Sequence, residues 1–132
     1  MKFNASPENT LGVEVEAGIV DRESLALVAR SDEVLSELAA PFGDEHPKAK
    51  HEFYQSSIEV ITGICDTVPD AERDLRATFD DVEAALAKRG LALQPGGLHP
   101  FSGWQELTVT DDERYRNFAE RIQWPARRSM CH

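Results

Sequence analysis

Residues 11–20 read LGVEVEAGIV, and the side on which their two glutamates fall decides how the chain folds. In an extended chain Val13, Val15 and Ala17 occupy one face, and Glu14 and Glu16 the other. A strand built this way buries one face only. The other face meets solvent or holds something cationic, because two carboxylates this close repel and lose more on leaving water. Spacing alone leaves both readings open: Val–Glu alternation is also the pattern of an ordinary solvent-facing strand.

The segments that follow are helices and strands in no strict alternation. DRES (21–24) is a turn, with Asp21 and Ser24 as capping residues. Residues 30–39 predict a short helix with Val34, Leu35 and Leu38 on its apolar face. PFGDEHPKAK (41–50) carries two prolines and a glycine and reads as a loop. HEFYQSSIEVITGIC (51–65), rich in aromatic and β-branched residues, reads as one or two strands. A helix over Asp70–Arg89 follows from the period of Leu75, Phe79, Val82 and Leu86, with early acids, late Lys88 and Arg89, and Gly90 as the stop. LALQ (91–94) predicts a strand, and PGGLHPFSGW (95–104) a loop. Thr110 to Glu113 is a helix-start signal for a helix to about Gln123, and Pro125 opens another helix that runs to the end of the chain. The pattern is α+β with an antiparallel or mixed sheet.

With 132 residues, 41% of them hydrophobic, residues 1–132 are expected to form a single domain with a real core. Twenty-four acids against 14 bases give a net charge of −10, which argues against nucleic acid or an anionic membrane as partner. A nucleotide remains accessible through a bridging metal ion. No apolar run has membrane-spanning length, and MKFNASPENT at the start lacks the apolar stretch of a signal peptide. Cys65 and Cys131 lie far apart without metal-type spacing, so buried thiols in a reduced, cytoplasmic setting are expected.

Glu52 and Glu59 join Glu14 and Glu16 as residues that could carry chemistry. Glu59 stands among Ile58, Val60 and Ile61, where a carboxylate is paired, metal-bound or protonated. Carboxylate oxygens suit Mg²⁺, which also binds substrate phosphates. A separation of seven puts Glu52 and Glu59 on opposite faces of an unbroken strand. Sharing a site requires a bulge, a break or a helical turn near Gln55–Ser57. His99, in GGLHPF, is either a donor to a substrate carboxylate or phosphate, or a loop histidine capping nearby backbone. His46 and His51 lack helical metal spacing. Arg114 and Tyr115 read equally as a surface ion pair and a half-buried tyrosine, and Arg127 and Arg128 as a solvated pair. Phosphate-loop, dinucleotide, nucleophile-elbow and CxxC motifs are lacking.

TLGVEVEAGIVD, EFYQSSIEVITGIC, GLHPF..W and DERY, in this order and at these separations, resemble the bacterial carboxylate–amine ligases. That is the YbdK-like branch of the glutamate–cysteine ligase family, type 2. The resemblance runs from about Thr10 onward. It implies a glutamine-synthetase-like fold, a curved and mainly antiparallel sheet with acids on its inner face. It implies that Glu14, Glu16, Glu52 and Glu59 are Mg²⁺ ligands, and that His99 and Arg114 lie near the substrate end. The implied reaction is phosphoryl transfer from ATP to the γ-carboxylate of glutamate or a related acid. An amine such as that of cysteine then attacks the acyl phosphate. Two departures stand out. Leu98 replaces the threonine of the family's Gly-Thr-His-Pro-Phe loop, which removes a hydroxyl. The chain also ends before the family's histidine-rich strand, so it is expected to be the N-terminal portion of a longer ligase. The alternative is a catalytically inactive truncated fragment that acts as a metal-binding or oligomerisation module, with copies joined as a homo-oligomer through an exposed sheet edge.

Overall fold

Four short strands pair into one sheet in the order β2-β3-β1-β4, and every pairing is antiparallel. The structure, a computed structural model, describes residues 8–122. In chain order the elements are β1 (Glu14–Asp21), α1 (Ser31–Ala39), β2 (Ala49–His51), β3 (Ser57–Ile61), α2 (Val68–Ala87), β4 (Leu91–Gln94) and α3 (Glu113–Ile122), with one 3-10 turn at Trp104–Glu106. The expected helix at Pro125, with Arg127, Arg128 and Cys131, lies outside the described residues.

The sheet packs one face against helices, as the alternation in β1 dictates, and at Gly18 and Val20 its other face is buried too. Ala17 and Ile19 of β1, Ile58 and Val60 of β3, Ala49 of β2 and Leu91 of β4 are all buried. Most of them pack with Val34 and Leu35 of α1 and with Val82, Ala85 and Leu86 of α2 in one core cluster. Removing each large aliphatic side chain from water contributes about 1.5–3 kcal/mol. Leu38, Leu75 and Phe79 close the border of the core, half-buried. α1 and α2 therefore both cover one side of the sheet, and neither covers the face that carries Glu14 and Glu16.

Local signals fix most boundaries. The Thr67 hydroxyl accepts from the Asp70 N–H at 3.3 Å and caps α2. Gly90 ends that helix at φ +68°, a conformation that glycine adopts without strain. Just before it, Lys88 and Arg89 pair with Glu37 at 2.6 and 2.7 Å and lash α2 to α1. In the DRES turn, Asp21 Oδ1 accepts from the Ser24 N–H and hydroxyl, both at 2.8 Å.

Two expectations change. β1 begins at Glu14 rather than Leu11: the Val13 N–H goes to the Thr62 hydroxyl at 2.9 Å, which interrupts the ladder, while Leu11 bridges Cys65 alone. The start signal of α3 moves from Thr110 to Asp112, whose Oδ1 accepts from the Arg114 N–H at 2.7 Å. Thr110 is engaged elsewhere, since its hydroxyl donates to the Glu52 carbonyl at 2.6 Å.

Candidate metal centre

The open face of the sheet gathers acids from two strands and a loop. Glu16 of β1 lies directly opposite Glu59 of β3 in the antiparallel register, so their side chains share a face. Glu52 follows the end of β2. The chain breaks from the ladder there, turning at Gln55 and Ser56 before β3 begins at Ser57. The Ser57 N–H closes that turn on the Tyr54 carbonyl at 3.1 Å. This break removes the objection raised by the separation of seven, because Glu52 and Glu59 do not share one strand.

One carboxylate oxygen from each of Glu16, Glu52 and Glu59 lies within 4.8 Å of the other two. Three oxygens spread evenly around one hard cation at about 2.1–2.4 Å stand roughly 3.6–4.2 Å apart, so the trio would close on a Mg²⁺- or Ca²⁺-type ion by drawing its side chains inward. The donor set, three carboxylates and no sulfur or nitrogen, is the chemistry such an ion prefers. Glu14 is exposed and opposite Ile61, outside the trio.

Electrostatics mark the same place. Burial, then the Glu52 and Glu14 carboxylates, hold the Glu16 carboxyl above the usual glutamate range. Burial, then Glu52, Glu14 and Glu16, raise the Glu59 carboxyl, and the Arg114 guanidinium works against the rise. Among the described residues none of these four glutamates takes part in an ion pair. The cluster is uncompensated negative charge in a partly desolvated place, which a bound cation relieves.

Glu52 is held from behind. Besides the Thr110 bond, its Oε1 accepts from the Phe53 N–H at 2.8 Å, and residues 108–110 pair with 53–55 through Gln55 N–H to Thr108 O and Thr110 N–H to Phe53 O, each at 2.9 Å. α3 completes this side. Arg114 donates to the Tyr115 hydroxyl at 2.6 Å and lies 4.5 Å from that ring's centre. The Tyr115 hydroxyl donates in turn to the His51 carbonyl at 3.1 Å. Burial, with Glu52, pushes the Tyr115 phenol up. An open groove of about 750 Å³ between α1, the β2 edge and the start of α3 reaches the trio at Glu59 alone, and Lys50, Thr110, Arg114 and Tyr115 also line it.

The structure thus brings Glu16, Glu52, Glu59 and Arg114 together, with Glu14 alongside. His99 is committed to backbone instead. His99 is 3% exposed. Its Nδ1 accepts from the Ser102 N–H at 3.0 Å, which leaves the ring proton on Nε2 to donate to the Leu25 carbonyl at 2.9 Å. Leu25 has φ +59°, a left-handed conformation costing a leucine about 1–2 kcal/mol. His99 ties loop 95–103 to that turn. The adjacent Leu98 is exposed. Sequence reasoning missed Thr110 and Tyr115 as supports of the site. Tyr115 stood next to Arg114 in DERY, but only the fold shows what its hydroxyl meets.

The fold is α+β, with α1 and α2 on one side of an antiparallel sheet and, on the other, a carboxylate trio whose oxygens have the chemistry to hold a divalent cation. Its sequence places it further. The profile of glutamate-cysteine ligase family 2 matches residues 10–132. "Putative glutamate–cysteine ligase 2-1" of Frankia casuarinae is 40% identical over 129 residues, 97% of this chain and 34% of the relative. "Putative glutamate–cysteine ligase 2" of Thermobifida fusca is 41% identical over 131 residues, 98% of this chain and 33% of the relative. The protein of that name from Corynebacterium glutamicum is 37% identical over 124 residues, 94% and 32% of the two chains. The chain belongs to glutamate-cysteine ligase family 2, and it spans about a third of the length of the curated relatives it matches. No helix among the described residues is long and apolar enough to cross a membrane.

Proposed function

We propose that this chain forms the cation-binding face of an ATP-dependent carboxylate–amine ligase that joins glutamate or a related acid to an amine such as cysteine. The observation that carries this reading is the trio Glu16, Glu52 and Glu59, whose oxygens converge within 4.8 Å on the side of the sheet opposite α1 and α2. These three residues hold Mg²⁺, and Glu14 adds negative potential beside them. The ion, when bound, supplies charge neutralisation for the phosphates of ATP. Arg114, fixed by Tyr115 at the rim of the groove, orients an anionic substrate group. His99 acts indirectly, by holding the loop after β4 in place. A cytoplasmic setting, where ATP is supplied, fits this reading.

The test has two parts. Mg²⁺ binding to the chain is measured by calorimetry beside the Glu16→Gln/Glu59→Gln variant, and ATP-dependent phosphate release is assayed with glutamate and a panel of amines. Binding lost in the variant, with release that needs both glutamate and an amine, supports the reading. Equal Mg²⁺ affinity in the variant removes the metal centre. Binding without any release reduces the chain to a metal-binding module.

A further inference from the structure

The acid trio has a cation of its own within reach, and the fold turns it away. Lys50 of β2 lies directly opposite Glu59, which lies directly opposite Glu16. The three residues form one row across three neighbouring strands and share a face. Directly opposed residues of an antiparallel pair stand about 4.5–5.5 Å apart at Cβ, well within the span of a lysine side chain. An ammonium in that position ordinarily pairs with the facing carboxylate. Here the Lys50 ammonium instead donates to Glu45 Oε2 at 3.0 Å.

The segment that carries Glu45 is anchored for this. Its neighbour His46 is 7% exposed, and His46 Nδ1 accepts from the Lys48 and Ala49 N–H groups at 3.2 and 2.8 Å. The Phe42 ring meets the His46 ring edge-on at 4.8 Å. Glu45 is thereby fixed beside the outer edge of β2. The other lysine here, Lys48, is committed to Asp74 of α2. Lys50 and its chain neighbour Lys48 are thus both held by acids outside the trio.

We propose that Glu45 is a positioning residue: it holds the Lys50 ammonium aside, so that Lys50 does not take the place of a divalent cation at Glu16, Glu52 and Glu59. The inference rests on the metal reading above. Without Glu45 the Lys50 ammonium is free to turn to Glu59, its cross-strand partner, where it competes with the metal for the same oxygens. The effect is bounded, because an exposed ion pair shifts an equilibrium by about fivefold at most.

Mn²⁺ affinity decides it, read from the free-ion paramagnetic resonance signal for the wild-type chain, Glu45→Gln, Lys50→Met and the double variant. The expected result is binding weakened about two- to fivefold by Glu45→Gln when Lys50 is present, and unchanged by it when Lys50 is Met. An equal loss in both backgrounds reports only a missing negative charge near the site and overturns the proposal. So does no loss in either. Wild-type protein that fails to bind Mn²⁺ overturns the metal reading itself and this inference with it, a result distinct from intact binding that ignores Glu45.

Discussion

Glu16 and Glu59 face one another across the β1–β3 ladder with no cation between them among the described residues. Like charges directly opposite destabilise a sheet by roughly 0.2–1 kcal/mol. Glu59→Gln is therefore expected to raise the melting temperature of the metal-free protein by roughly 1–4 °C and to abolish any rise caused by Mg²⁺. Thermal unfolding with and without MgCl₂ checks both halves. A variant that Mg²⁺ still stabilises as well as wild type excludes Glu59 as a ligand.

The same pair sets a pH dependence. Both carboxyls are raised in the folded state, so the folded protein binds more protons than the unfolded one above the ordinary glutamate value of 4.5. Their stabilising contribution is complete below that value and is lost as pH rises through the raised ones. Mg²⁺-free protein should lose stability across this window, and the Glu16→Gln/Glu59→Gln variant should lose less. Denaturant titrations at pH 4 and pH 7 measure the difference.

Asp74 acts in the opposite sense. Its carboxylate takes the Lys48 ammonium and accepts from the Gly63 N–H at 2.8 Å, and these bonds hold it below the usual aspartate range. Its contribution is present above the ordinary value of 3.8 and fades as pH falls through the lowered one. Asp74→Asn should cost about 1 kcal/mol at pH 7 and little at pH 2. Equal losses at both pH values would show that the carboxylate's charge is irrelevant.

His99 separates structural from chemical roles. Removing a buried side chain that bonds two backbone groups should cost about 1–3 kcal/mol, so His99→Ala is expected to lower the unfolding midpoint. Mg²⁺ affinity should stay within twofold of wild type, roughly the limit of indirect effects on a site it does not touch. A stable His99→Ala protein with lost metal or ATP binding would put the histidine back at the reacting end.

Core packing offers a control. Leu86 of α2 is fully buried against the sheet. Leu86→Ala should destabilise by about 2–5 kcal/mol without altering metal selectivity, as measured by urea unfolding and Mn²⁺ binding.

Much of the fold was legible before any coordinates. The period of Leu75, Phe79, Val82 and Leu86, the stop at Gly90 and the alternation in β1 are local signals, and each led to the right element. The separation of Glu52 and Glu59 was harder. The residues show that a break is needed, but a turn at Gln55–Ser56 is stabilised by partners far along the chain, including Thr108 and Thr110. Residues 107–110, LTVT, are a β-branched run too short to announce a strand, and Val109 bridges Tyr54 because the tertiary fold delivers it.

The sequence by itself determined that Glu14 and Glu16 share a face opposite Val15 and Ala17, because side chains alternate strictly along a strand. It also determined which helix faces are apolar, and its ordered motifs pointed to the family. Only the tertiary structure decided that Glu16 joins the trio and Glu14 stands beside it, that His99 bonds backbone with both ring nitrogens, and that Lys50 pairs with Glu45 rather than Glu59. Each of those outcomes depends on strand register and on loops packed from distant parts of the chain. Register is set by the sum of all the contacts along a ladder, and no single stretch of residues encodes it.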